Sequence, residues 1–197
     1  DWNYLRMQPR VEVERLQRGL REGLVTLLGD TEDALPVAER VRAGELLGEL
    51  GDPRLLDPAT GDNFLNAEMQ RRRDAESWER YWCHIEQGPF WFGDDNTGEL
   101  RQRELTYAFH IGRYLVTNAE YARFIEDGGY QERRWWTKQG WKCKEKEDRT
   151  QPVYWGREGY DQPNQPVYGL LWYEAMAYCA WLTGQGHSAG WLPHNEI

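Results

Sequence analysis

Two short motifs near the carboxyl end of this 197-residue chain have spacings that are typical of catalysis or nucleotide binding. Gly186-His187-Ser188-Ala189-Gly190 matches G-x-S-x-G, which in α/β-hydrolases places a nucleophilic serine on a sharp turn between a strand and a helix. Here a predicted helix precedes the motif and no acid separates Ser188 from His194, so a flexible polar turn is the favoured interpretation. Gly184–Ala189 matches the dinucleotide-binding pattern G-x-G-x-x-A by spacing alone, because it too follows a helix rather than a strand.

Candidate metal ligands are present, but their spacing does not assemble a site. His187 and His194 could share a soft metal, yet the glycine-rich turn between them fixes no geometry and no third ligand is evident. Asp94–Gly98 offers closely spaced oxygens that suit calcium, but the position of the glutamate that closes a twelve-residue calcium loop is held by Leu105. The sequence therefore assigns no metal or other cofactor to this chain.

Composition narrows the class of protein further. The three cysteines, Cys83, Cys143 and Cys179, are odd in number and form no C-x-x-C pair, so they support neither a disulfide framework nor a zinc ribbon and favour a reducing compartment. A net charge of −9 argues against binding to a phosphate backbone. No segment has the length of a membrane span, and the first residues lack the apolar core of a signal peptide. We expect a cytoplasmic protein that binds neither nucleic acid nor membranes.

Residues 1–60 are predicted to form a helical hairpin. Apolar residues at steps of three and four predict a first helix ending at Gly29, and these residues are Val13, Leu16, Leu20, Leu24 and Leu27. A second helix is expected from Pro36 to Gly51. Residues 38–54 also resemble one unit of a HEAT-like repeat, which must either pack on the next domain or continue a larger helical scaffold upstream. The polar residues 61–80 predict a linker.

Residues 81–197 are predicted to form an α+β domain with little regular secondary structure. A hairpin is expected from Tyr81–Ile85 and Phe90–Phe92, followed by one strand over Leu105–Ile111. Thr117-Asn118-Ala119-Glu120 predicts a capping box at the start of a helix that ends near Gly128. Trp172–Leu182 is apolar on nearly every face, which predicts a helix buried on all sides with Cys179 as a core residue.

Between these two helices, residues 130–167 are predicted to form a long aromatic loop. A loop of this length must be organised by its own rings or by a bound partner. Its candidate ligand-binding residues are Trp135, Trp136, Trp141 and Trp155. Most such rings belong to a core, so burial is the favoured interpretation of these indoles and ligand binding is the alternative.

Several strings within residues 81–197, taken in order, resemble the formylglycine-generating enzyme family, also called the sulfatase-modifying-factor family. The strings are Gln87-Gly88-Pro89-Phe90 with Gly93, Ile111-Gly112-Arg113-Tyr114, Val116-Thr117-Asn118-Ala119-Glu120-Tyr121 with Phe124, Pro163-Asn164-Gln165-Pro166-Val167, and Trp172-Tyr173-Glu174-Ala175 with Ala177-Tyr178-Cys179 and Trp181-Leu182. The resemblance implies a C-type-lectin-like fold, of which this chain holds only the N-terminal part. Relatives include copper-dependent oxidases that convert a sulfatase cysteine to formylglycine, iron-dependent sulfur-transfer enzymes and non-catalytic ligand binders.

The resemblance also implies where the chemistry of the family lies. In the oxidases the copper-binding cysteine pair and the calcium-binding loops follow a motif that comes after the core helix, and none of the cysteines in this chain occupies the positions of that pair. The leading interpretation is therefore a non-catalytic module that binds an unknown protein or small molecule, like the variable proteins of diversity-generating retroelements. The alternative is the N-terminal part of a copper-dependent oxidase whose catalytic cysteines lie beyond residue 197.

Overall fold

The computed structural model describes residues 10–29, 35–54, 82–93, 98–190 and 192. They fall into two compact units, one formed by residues 1–70 with 116–197 and the other by residues 71–115. The predicted linker at 61–80 lies outside the described residues, so the proposed domain boundaries stay predictions. Within the described ranges, no helix is both long enough and apolar enough to cross a membrane.

The first unit opens with the predicted pair of helices, which is confirmed. Helix α1 spans Arg10–Gly29 and α2 spans Val37–Leu50. The Nε of Arg21, near the middle of α1, donates to the Leu50 carbonyl at the end of α2 at 2.6 Å. Leu47 on α2 is fully buried. The apolar stripe predicted on α1 remains partly exposed at Leu16, Leu20 and Leu27.

The core of the first unit is aromatic and centres on three helices, α3 at Asn118–Glu126, α4 at Lys138–Lys146 and α5 at Trp172–Ala189, with a 3₁₀ turn at Arg133–Trp135. The buried cluster consists of Tyr121, Phe124, Tyr130, Trp136, Ala177, Tyr178 and Trp181. Its rings meet edge-on or stacked; Tyr121 and Tyr178, for example, stack with centroids 5.2 Å apart. Large rings thus hold together a region that has few regular elements.

The capping box of α3 is confirmed in both of its halves. The hydroxyl of Thr117 accepts from the Glu120 backbone N–H at 3.3 Å, and the Glu120 carboxylate accepts from the Thr117 N–H at 2.7 Å. Because the Glu120 side chain is almost completely buried, its desolvation raises its pKa above the ordinary value despite these bonds. The helix ends at Asp127, and Gly128 follows with a left-handed φ of 75°.

Helix α4 was not predicted, since it lies inside the segment expected to be a loop. Thr137 caps it by accepting from the Gly140 N–H at 3.0 Å. Gly140 lies so close to Tyr173 that a Cβ there would approach that ring within 3.1 Å. A short capped helix therefore replaces part of the expected aromatic loop.

Helix α5 corrects two predictions. It continues to Ala189 with Gly190 as a left-handed cap, so both glycine motifs lie on its last turns and the expectation of a flexible turn there was wrong. The Ser188 hydroxyl bonds back to the Gly184 carbonyl at 2.8 Å, as serine commonly does inside a helix. The helix is also not buried on all sides, because Trp172 is 66% exposed and Cys179 is exposed as well.

The described residues of the second unit form four strands: β1 at Trp82–Ile85, β2 at Gly88–Phe92, β3 at Arg101–Leu105 and β4 at Phe109–Gly112. The predicted hairpin between β1 and β2 was wrong, because β1 pairs with β4 and β2 pairs with β3, both antiparallel. The expected single strand over 105–111 is divided at Thr106–Ala108. Between the two paired regions, one strand has two residues, Glu86 and Gln87, and the other has three, Thr106–Ala108. This one-residue excess indicates a long antiparallel ribbon interrupted by a bulge.

Candidate functional site

The carboxylate of Glu174, in the first turn of α5, is fully buried and links several elements of the first unit. Its Oε2 accepts from the Leu171 N–H at 2.6 Å and from Nη1 of Arg149 at 2.9 Å. Its Oε1 accepts from the hydroxyl of Tyr130 at 2.7 Å. A carboxylate also interacts favourably with the positive end of the helix dipole, so burial is compensated by three donors and a dipole.

The network continues in two directions from Glu174. The hydroxyls of Tyr130 and Tyr121 lie 3.2 Å apart, and burial raises the pKa of both phenols above their ordinary value of 10.0, which keeps them protonated as donors at neutral pH. Arg149 is only 13% exposed and also donates to Glu147 at 2.7 Å. Burial lowers the pKa of Arg149, but the two carboxylates outweigh it and leave that pKa raised.

This arrangement positions backbone elements. It connects α3, the segment after it, the residues that follow α4 and the start of α5 through side chains that lie between 9 and 44 residues apart in sequence. At one end it stops at Tyr121, inside the aromatic core. We call Glu174, Arg149, Tyr130 and Tyr121 the buried carboxylate network.

The four tryptophans predicted to bind a ligand all lie at the aromatic core. Trp136 is buried and its indole N–H donates to the Gly129 carbonyl at 2.8 Å. Trp135, Trp141 and Trp155 are partly buried and pack against the cluster from outside. The structure therefore brings the four side chains to one region, and the ligand-binding role stays a prediction.

Two of these indoles carry a cation on one face. The guanidinium of Arg134 lies 4.4 Å from the Trp135 ring centroid, and the Lys144 ammonium lies 4.8 Å from that of Trp141. On another side, Trp135 touches Gly184, where a Cβ would meet the ring at 2.9 Å. Close packing against the Trp135 ring therefore explains the glycine at position 184, and nucleotide binding is not needed to explain it.

A surface cluster of tyrosines was missed in the sequence. The rings of Tyr154, Tyr160 and Tyr168 lie with their centroids between 5.2 and 5.4 Å apart, and Tyr160 and Tyr168 are 40% and 57% exposed. Arg157 lies 5.5 Å from the Tyr154 ring. We call these three residues the tyrosine cluster. The one sequence signal for it is Gly169, whose left-handed φ of 79° and contact with the Tyr154 ring require glycine.

The remaining candidates from the sequence do not come together as a reactive site. Cys83, Cys143 and Cys179 are free thiols. Ser188 bonds within its own helix, and His194 lies outside the described residues, as do Asp94 to Thr97 of the suggested calcium loop. In the parts of the chain that the structure describes, no three His, Cys, Asp or Glu side chains cluster closely enough to hold a metal.

Comparison with known proteins relates the chain to one domain family. Residues 68–193 match the family described as the sulfatase-modifying factor enzyme 1-like domain, over part of that domain. Hercynine oxygenase of Mycolicibacterium thermoresistibile is 42% identical over 83 aligned positions, which cover 38% of this chain and 19% of that protein. Hercynine oxygenase of Mycobacterium tuberculosis is 40% identical over 84 positions, covering 38% of this chain and 20% of the relative. The chain spans about a fifth of the length of these relatives.

Proposed function

The chain belongs to the sulfatase-modifying factor enzyme 1-like family, the family of formylglycine-generating enzymes, and from this premise we propose that it forms the framework part of a domain that oxidises a small substrate with dioxygen. Hercynine is the first candidate substrate. The observation that carries the proposal is the identity of about 40% shared with proteins named hercynine oxygenase over more than 80 aligned positions.

The buried carboxylate network supports a framework role for this part of the domain. Catalytic groups must be held within a fraction of an ångström of their working positions, and rigid neighbouring elements provide that precision. Glu174 and Arg149 fix the start of α5 to the segment after α4 through charge-assisted hydrogen bonds. We propose a C-type-lectin-like fold for the complete domain, in keeping with its short antiparallel strands, few helices and long aromatic connections.

The described residues do not supply a catalytic centre for copper or iron, the metals of the family's oxidases and sulfur-transfer enzymes. Neither a cysteine pair nor a group of three suitable ligands occurs among the side chains that the structure places. The proposal therefore assigns these residues no part in holding a catalytic metal and limits them to the scaffold.

We also propose a cellular compartment, a substrate class and domain boundaries for the protein. Three free cysteines are compatible with a reducing cytoplasm, and a net charge of −9 supports a small-molecule substrate over a nucleic acid. We propose that residues 1–60 are a helical segment, residues 61–80 a linker and residues 81–197 the family domain.

The test uses the full-length protein encoded by the parent gene. Dioxygen uptake is measured with hercynine and with a sulfatase-type cysteine peptide, each in the presence of ferrous iron or copper, and the products are identified by mass spectrometry. We expect substrate-dependent uptake with hercynine, and formylglycine in the peptide would instead identify the copper oxidase activity. Binding of hercynine without any oxygen consumption would contradict an oxidising function.

A second candidate function is non-catalytic recognition of a protein or small-molecule ligand, as in variable proteins of diversity-generating retroelements. The tyrosine cluster favours it, because exposed aromatic faces on a rigid surface are typical of recognition sites. A ligand screen on the chain and its Tyr168→Ala variant tests this alternative. The matched control is Tyr107→Ala, which removes a comparably exposed ring from the other unit. Equal loss of binding in both variants argues against the tyrosine cluster as the site.

A further inference from the structure

Two histidines face each other across the β1–β4 pair of the second unit. The antiparallel register places His84 directly opposite His110. Directly opposed residues on neighbouring strands project from the same face of the sheet, with their Cβ atoms about 5 Å apart. Hydrogen bonding over the four residues of each strand therefore holds the two imidazoles side by side.

One nitrogen of each ring lies close to a nitrogen of the other. Nδ1 of His84 lies 3.2 Å from Nε2 of His110, and the ring planes are inclined at 54° rather than stacked. Two nitrogens that ligate one tetrahedral ion at about 2.0–2.1 Å lie about 3.3 Å apart. The observed separation is therefore close to the span of two ligands on one metal.

A carboxylate sets the tautomer that ligation requires. Oε1 of Glu86 lies 3.2 Å from Nε2 of His84, so the Nε2–H of that ring donates to the carboxylate and the lone pair resides on Nδ1. This lone pair is directed at His110. A carboxylate that accepts from the distal N–H of a ligating histidine is the usual outer partner at zinc sites, where it orients the ring and raises its basicity.

We propose that His84 and His110, oriented by Glu86, form a binding site for a divalent cation of the zinc class. Imidazole nitrogens select Zn²⁺ or Ni²⁺ over the hard cations Mg²⁺ and Ca²⁺.

The exposure of the pair completes the coordination sphere. The His84 side chain is 46% exposed, so water fills the positions that the two imidazoles leave open. Two protein ligands and open positions indicate a moderate-affinity site that can take a further ligand. This inference is independent of the proposed oxidation, because the residues involved belong to the second unit and not to the buried carboxylate network.

The test is a calorimetric titration of the untagged 197-residue chain with Zn²⁺ and with Mg²⁺. We expect one equivalent of zinc to bind and no magnesium. His84→Gln and His110→Gln should each abolish that binding, and Glu86→Gln should weaken it by about 10–100-fold. Two matched controls should retain zinc binding. His187→Gln removes a histidine on α5 of the first unit, and Cys83→Ser removes a thiol, another group that can bind zinc, next to His84.

A second measurement keeps the proposal testable if a histidine variant misfolds. Nitrogen-15 spectra of the imidazoles in the unaltered chain should show two histidines shifted by zinc, with Nε2 of one of them remaining protonated, and no shift at His187. Three results would each overturn the proposal: no zinc binding by the unaltered chain, unchanged binding in both His84→Gln and His110→Gln, or loss of binding in either control.

Discussion

Replacement of Glu174 by alanine should destabilise the first unit more than any surface substitution. The side chain is fully buried and accepts from three donors, and its removal leaves Arg149 without one of its two carboxylates in a poorly solvated position. Breaking one side of a buried ion pair costs about 3–5 kcal/mol. For a chain of this size each kcal/mol lowers the midpoint by roughly 2–4 °C, so we expect the melting temperature to fall by roughly 6–20 °C.

Two further variants separate charge from packing. Glu174→Gln keeps the shape and one acceptor oxygen but removes the charge, so the loss should be smaller, about 1.5–3 kcal/mol, the usual worth of a hydrogen bond to a charged group. Glu126→Ala is the matched control, because this exposed glutamate lies 3.9 Å from Arg123 and such pairs contribute about 0–1 kcal/mol.

Urea unfolding followed by tryptophan fluorescence measures these differences. A double-mutant cycle of Glu174→Gln with Tyr130→Phe should give a coupling energy of about 0.5–3 kcal/mol, since the two groups share a 2.7 Å hydrogen bond. If Glu174→Ala unfolds within about 0.5 kcal/mol of the unaltered chain, the typical range for a surface substitution, the buried carboxylate network does not stabilise this unit and the reasoning is refuted.

Three further predictions use the same unfolding assay. Thr117→Ala should lose about 0.5–2 kcal/mol of unfolding free energy, while Thr117→Ser, which keeps the capping hydroxyl, should lose little. Gly48→Ala should be less stable than Gly44→Ala by about 1–3 kcal/mol. Only the Gly48 substitution displaces Asn164 from its hydrogen bonds to the Gly44 carbonyl and to Asp52. Equal stabilities of the two variants would show that the Asn164 side chain does not pack against Gly48. Burial of Asp52 opposes its ionisation, but hydrogen bonds from Arg54 outweigh burial and hold the pKa of Asp52 below 3.8. The ionised carboxylate therefore stabilises the fold above about pH 4, and this stabilisation is lost as the pH falls through the lowered pKa. Asp52→Asn should therefore show a shallower loss of stability than the unaltered chain between pH 5 and pH 3, and parallel curves would contradict this assignment.

Local signals in the sequence predicted local structure well. The capping box at Thr117 depends on residues three positions apart, and the structure shows both of its bonds. The two N-terminal helices follow from apolar periodicity and terminal glycines. The family resemblance, carried by an ordered series of strings, is confirmed by the match over residues 68–193.

Pairings between distant residues could not be predicted. The ribbon pairs β1 with β4 across 26 residues at His84 and His110, and alternation of apolar residues is equally compatible with a hairpin to β2. Glu174 lies on a helix that its apolar residues predicted, but its partner Arg149 lies 25 residues away in a segment expected to be a loop. The tyrosine cluster likewise depends on chain turns that composition does not specify.

The most direct test of the central proposal is an isotope measurement on the full-length parent protein. The protein is incubated with hercynine and a reductant under ¹⁸O₂, and the small-molecule products are analysed by mass spectrometry. We predict a new hercynine-derived product that carries the heavy isotope. Unchanged hercynine, together with saturable binding of hercynine or another ligand at the tyrosine cluster, would contradict the oxidising function and support a recognition module instead.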